Sequence, residues 1–185
     1  MQTPAPEPPA PARQTPAAMQ MLRDIAETLL PAAIIAILIN LFLAQATRVY
    51  GQSMEPNLHS DERLVVEKLS YRFHGPRRGD IVVLKIPDRS AELLIKRVIA
   101  LPGERIEIHE GYVYIDGSML DEPYLTQITS GVMTAQIVPP FHIFVMGDNR
   151  GASNDSRSFG MVSLDNIVGR AWVRYWPVNE VGLIH

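Results

Sequence analysis

Ser53 is a candidate nucleophile. It lies in Gly51-Gln52-Ser53-Met54-Glu55-Pro56, where a glycine and a proline constrain the backbone on either side. A serine hydroxyl attacks a carbonyl only when a base takes its proton. Five histidines could serve, His59, His74, His109, His142 and His185, and none sits in a distinctive motif. A Ser–His–Asp triad stays open, because triads are assembled in space rather than in sequence. The other candidate base is a lysine, and the chain has only Lys68, Lys85 and Lys96. An ordinary amine, with a pKa of ~10.4, is a poor base at neutral pH, but burial lowers that value by up to ~3–5 units. Lys96 is placed for burial. It sits within Leu93-Leu94-Ile95-Lys96-Arg97-Val98-Ile99, and a period of two puts Leu94 and Val98 on its own face. Lys68 and Lys85 fall at strand ends. The competing reading of Lys96 is a packed stem with its ammonium in water.

A third polar stretch follows the apolar run Ile143-Phe144-Val145-Met146. It reads Gly147-Asp148-Asn149-Arg150-Gly151-Ala152-Ser153-Asn154-Asp155-Ser156-Arg157. It lacks the acidic spacing of a Ca²⁺ loop. Its acids alternate with Arg150 and Arg157, which suggests an internally paired support for a nearby site.

The elements that must position these groups are mostly strands. From Val49 onward, seven stretches are rich in Val, Ile and aromatics: 63–69, 80–86, 93–101, 105–108, 112–115, 141–146 and 167–176. Turn signals separate them, including Pro87-Asp88, Glu110-Gly111 and Asp116-Gly117. The expected fold is mainly β, a compact antiparallel, barrel-like domain over 48–185. One short hairpin is expected around Glu110-Gly111, with a loop near 126–135. Upstream, residues 1–27 form a proline-rich tail, expected to be disordered, and a short juxtamembrane segment. Residues 28–47 carry no charge and are expected to form a single transmembrane helix, since twenty helical residues span the ~30 Å hydrocarbon core. A buried core helix and a cleavable signal peptide ending at Ala44-Gln45-Ala46 are the rival readings, and Ala44-Gln45-Ala46 is also a candidate self-cleavage site. Cysteine is absent, which removes thiol nucleophiles, disulfides and thiolate metal sites. The net charge of −3 gives no bias toward nucleic acid.

Together these stretches resemble bacterial type I signal peptidases. The resemblance is carried by Ser53-Met54-x-Pro56 with Leu58, by Ile95-Lys96-Arg97-Val98-x-x-Leu101-Pro102-Gly103-Glu104, and by Gly147-Asp148-Asn149-Arg150 with Ser153, Asp155, Ser156 and Arg157. It covers roughly Arg48 to Pro177. It implies that Ser53 is the nucleophile and Lys96 the general base. Ser153 would orient the lysine, and Asp155 and Arg157 would form a supporting salt bridge. Val49, Leu58, Leu94 and Ile95 would line shallow pockets for small substrate residues. The Ser53 amide would be one oxyanion donor. Gly51 stands where many relatives place a serine as the second. The implied activity is cleavage of signal peptides from exported preproteins, with no metal or organic cofactor. The implied partners are preproteins and a lipid bilayer, not nucleic acid, for a monomer in the plasma membrane with its catalytic domain outside the cytoplasm. The alternatives are another Ser–Lys hydrolase of related fold and a non-enzymatic, membrane-tethered β module.

Overall fold

The first described element is α1, Ala17–Leu38. It belongs to a computed structural model that describes residues 17–39, 43–86 and 93–184. The proline-rich tail up to residue 16 and the Pro87-Asp88 turn lie outside the described residues. The chain divides into two units, Met1–Ile39 and Asn40–His185. In the first unit, α1 keeps Arg23, Asp24 and Glu27 in its N-terminal half, and Arg23 pairs with Glu27 at 2.6 Å. Its apolar half is bare: Leu29, Leu30, Ile34, Ile35, Ile37 and Leu38 are all exposed. Among the described residues no helix is long and apolar enough to cross a membrane. The expected span over 28–47 is therefore corrected at its C-terminal end, because Ala44–Arg48 is a strand, β1. The physical reason is a partner. β2, Arg63–Glu67, offers its edge, and β1 pairs with it from Ala44 opposite Glu67 to Arg48 opposite Arg63.

The second unit contains all seven expected strands. β3 is Ile81–Lys85, β4 Leu93–Ala100, β5 Arg105–His109 and β6 Tyr112–Ile115. After β7, Ser118–Met119, and β8, Met133–Ile137, come β9, His142–Met146, and β10, Val162–Ser163. β11 is Ile167–Trp176 and β12 Gly182–Leu183. One antiparallel sheet runs β1-β2-β11-β3-β4-β9-β10, with β12 beside β11; a second runs β7-β6-β5-β8. The expected barrel-like domain is thus two sheets, of eight and four strands. The β5–β6 hairpin turns at Glu110 and Gly111, both left-handed at φ 54° and 84°. Paired left-handed residues twist a two-residue turn the way its strands twist. The loop expected near 126–135 is partly strand, because β8 pairs with β5.

The core sits on both faces of the larger sheet. Alternation along β3 sends Ile81 and Val83 into a cluster with Val49, Met54, Leu58, Val66 and Ile95. Val82 and Leu84 enter another cluster with Val98, Ile143 and Val145. A third cluster, built on Ile106, Ile108, Val113 and Phe144, belongs mainly to the smaller sheet. Strands buried on both faces read as continuous apolar runs, as Ile81-Val82-Val83-Leu84 does.

Candidate active site

β3 and β4 decide where Lys96 points. Their register sets Lys96 opposite Val82, and alternation adds Leu94 and Val98 to the same face. All three apolar neighbours belong to one cluster with Leu84 and Val145. A lysine on that face is only 3% exposed. Its Nζ donates to Ser53 Oγ at 2.7 Å and to its own neighbour's carbonyl, Ile95 O, at 3.1 Å. Burial drives the amine's pKa down from 10.5 to about 8, while the charges of Asp155 and Asp148 pull the other way. The solvated-ammonium reading of Lys96 is thereby set aside.

Ser53 is presented by a turn that is gripped from both ends. Met54 and Leu58 are buried, which anchors the C-terminal side. Asn149 N donates to Ser53 O at 3.1 Å, and Asn149 Nδ2 to Gln52 O at 3.1 Å. Gly147 permits this approach. A Cβ on it would lie 2.3 Å from Ser53 O and 2.3 Å from Ser153 Oγ, so no other residue fits. Gly51 has φ 80°, a left-handed conformation that a serine adopts only with strain. No histidine hydrogen-bonds Ser53 among the described residues. His109 stacks on Tyr114, His142 Nδ1 contacts Pro140 O, and His59 lies 3.8 Å from Glu55.

Asp155 and Arg157 pair as a fork, Nε to Oδ1 and Nη2 to Oδ2, each at 2.8 Å. Asp155 also accepts from Gly147 N at 3.0 Å. Burial works against the Asp155 charge, yet the Arg157 and Gly147 hydrogen bonds hold its pKa below the usual carboxylate value. Ser153 lies in the same loop, close to Gly147. Its hydroxyl is buried against Gly147, where it helps to hold the Asp155 carboxylate charged. The lysine amine uses Ile95 O as its second partner.

The four expected pocket residues do not share one wall. Val49, Leu58 and Ile95 lie in one apolar cluster, whereas Leu94 packs on the opposite face of β4. Val49 and Leu58 are each 2% exposed, at the floor of the surface beside Ile95. β4 pairs with β3 along 93–97, but its pairing with β9 begins only at Arg97. Among the described residues, the stretch just before Lys96 therefore has a strand on one side only.

Sequence reading missed the long-range ion pairs under this site. Arg97 forks onto Asp148 at 2.8 and 2.7 Å, and both side chains are at most 3% exposed. Asn57 Nδ2 joins them, donating to Asp148 at 2.8 Å and to Tyr124 O at 3.0 Å. The Tyr124 ring lies 4.0 Å from the Arg97 guanidinium carbon. Arg150 takes its ion-pair partner from outside its own loop, unlike the pairing expected. It forks onto Glu122, bonds Thr129 Oγ1, and donates to Gly147 O at 3.1 Å. Only Arg97, a charge inside an apolar strand, carried a local signal; Asp148, Arg150 and Glu122 lie in polar loops.

Comparisons with known proteins give the family. The family model described as signal peptidase, peptidase S26, matches residues 22–176. The signal peptidase I of Leptolyngbya laminosa is 41% identical over 187 residues, covering 97% of this chain and 92% of that protein. A probable signal peptidase I-2 of Synechocystis sp. is 40% identical, covering 87% of this chain and 76% of that one. A signal peptidase I of Bacillus caldolyticus is also 40% identical, covering 77% and 85%. Among solved structures, a signal peptidase I from Enterococcus faecalis is 33% identical, with a TM-score of 0.47 over 51% of this chain and 95% of that one. A match from residue 22 to residue 176, supported by relatives aligned over most of their length, makes this chain a member of the signal peptidase family, peptidase S26.

Proposed function

We propose that this serine endopeptidase removes signal peptides from preproteins with Ser53 as nucleophile and Lys96 as general base. One observation carries the assignment: a nearly dry amine whose Nζ lies 2.7 Å from the Ser53 hydroxyl. The neutral Lys96 amine takes the Ser53 proton as Oγ attacks the scissile carbonyl. The resulting ammonium returns that proton to the departing amine, leaving an ester on Ser53. Water, deprotonated by the same amine, then frees the enzyme. Among the described residues the Ser53 amide has no hydrogen-bond partner, so it is available to the developing oxyanion.

A preprotein segment would lie extended beside residues 93–95 of β4, adding main-chain hydrogen bonds on the side that β9 leaves open. Side chains turned toward Val49, Leu58 and Ile95 meet a floor of buried side chains. Small residues fit there and large ones do not. The Asp155–Arg157 pair, and the packing of Ser153 over Gly147, fix the loop that holds Ser53. The uncharged run from Thr28 would lie in a bilayer, since its bare apolar side chains lack a protein cover. The strands from Ala44 onward would lie outside it, on the extracytoplasmic side.

The test is cleavage of a preprotein by Ser53→Ala and Lys96→Ala variants in membranes. Each variant is expected to lose at least about a thousandfold in rate, the scale on which catalytic machinery acts, with an unchanged β-type circular dichroism spectrum. Processing at the normal rate by either variant would remove the dyad.

A further inference from the structure

We propose that the loop Lys68–Arg78 is a docking surface for the anionic headgroups of a lipid bilayer. The proposal rests on the membrane placement of the uncharged run given above. The loop reads KLSYRFHGPRR. It holds four of the chain's 17 lysines and arginines, adds His74, and contains no Asp or Glu; Arg78 turns inward onto Glu104 at 2.6 Å, so the cations offered outward are those nearer Phe73. The chain as a whole is net negative, at −3, so this excess is local.

Its position is set by the β1–β2 pair. Ala44 lies opposite Glu67, and Lys68 N donates to Leu43 O at 3.0 Å. The loop therefore begins beside the residue at which the chain enters the β-sheet from the uncharged run. It is also held in shape. Ser70 N donates to the Glu67 carboxylate at 2.6 Å, while Tyr71 OH and Arg77 N donate to Asp80 at 2.9 and 2.8 Å. That architecture leaves Arg72, His74 and Arg77 exposed around Phe73, whose ring is 80% exposed.

Cations surrounding an uncovered aromatic ring suit the headgroup layer. The ring enters the interface and the cations meet phosphates. A groove of about 310 Å³ runs beside the loop, with Lys68, Tyr71 and Arg72 on one wall and Leu164, Ile167 and Val168 on the other. Charge along one wall and apolar carbon along the other match a phosphate carried on a glycerol–acyl stem.

The chain has no cysteine, so a Phe73→Cys variant carries one environment-sensitive fluorophore. The full-length Ser53→Ala chain with this label is reconstituted into vesicles of phosphatidylcholine alone, or of phosphatidylcholine with phosphatidylglycerol. A blue shift, with quenching by a lipid-borne quencher, is expected only in the anionic vesicles. It should vanish when Arg72→Gln and Arg77→Gln are added, and at 1 M salt, where the screening length is ~3 Å. An equal shift in both vesicle types, no shift in either, or the same shift with polyglutamate in place of vesicles would overturn the proposal. Flotation separates the two readings. A chain that fails to float with phosphatidylcholine vesicles defeats the membrane placement and this proposal with it, whereas one that floats without a label shift defeats the loop alone.

Discussion

At the scale of single residues, the consequences centre on the Lys96 amine. Its pKa of about 8 leaves roughly a tenth of it neutral at pH 7. Cleavage rates at low substrate are therefore expected to rise about tenfold per pH unit below 8 and to level off above it. A pH–rate profile flat from pH 6 to 9 would contradict this. The same burial opposes folding. The folded pKa is depressed relative to 10.5, so the charged amine weakens the folded state fully below pH 8, and that penalty fades as pH rises from 8 toward 10.5. A Lys96→Met variant is expected to be inactive yet more stable at pH 7 by about 3 kcal/mol at most, from a shift of two to three pKa units. Urea melts at pH 7 and pH 10 should show that gain shrinking at the higher pH. Gly147→Ala also loses activity, but through position rather than through the base. Its methyl would collide with Ser53 O, so the turn must move, and cleavage is expected to fall at least about a hundredfold, as misplacement by 1 Å does. The flanks of Ser53 and Lys96 marked a turn and an apolar strand, but left other bases and a solvated lysine open; only the family resemblance paired the two. The close approach of Ser153 to Gly147 was not legible, because two residues six apart in a loop meet only once the loop has folded.

At the scale of elements, the buried Arg97–Asp148 fork joins β4 to the loop after β9, and Asn57 ties the nucleophile's turn to the same carboxylate. Removing one member strands the other charge in the core. Arg97→Met is expected to cost about 3–5 kcal/mol, and Arg97→Met with Asp148→Leu to recover much of it, because a buried pair is often replaceable by packed apolar side chains. Chemical denaturation of the two variants measures this. Equal stability of the double and single variants would show that the fork contributes beyond mutual neutralisation. Strand positions were legible because β-branched runs alternate with Gly, Pro and Asp turns. Partners such as Arg150 and Glu122, 28 residues apart, were not, because nothing local marks which acid an arginine will meet. The helix boundary failed for a related reason. Ala44-Gln45-Ala46-Thr47 is uncharged enough to continue a helix, and only the waiting edge of β2 draws it into a strand.

At the scale of the whole molecule, β1 closes one edge of the eight-stranded sheet, where Gln45 and Thr47 face Val66 and Leu64 across the pair. A chain beginning at Leu43 is expected to fold and to cleave a peptide in detergent. One beginning at Val49 leaves the β2 edge open and is expected to aggregate. Size-exclusion chromatography of the two distinguishes them, and a monomeric, active shorter chain would mean that β1 is dispensable. The same pairing occupies the backbone of Ala44-Gln45-Ala46, so the intact mass is expected to persist on prolonged incubation.

The ion pairs under the site draw on positions 57, 97, 122 and 148–150, spread across more than half of the β region. In a nascent or half-folded copy the amine is still in water and carries its proton, so it cannot activate a hydroxyl. A protease synthesised among the very preproteins it cuts thus remains harmless until its last contacts close.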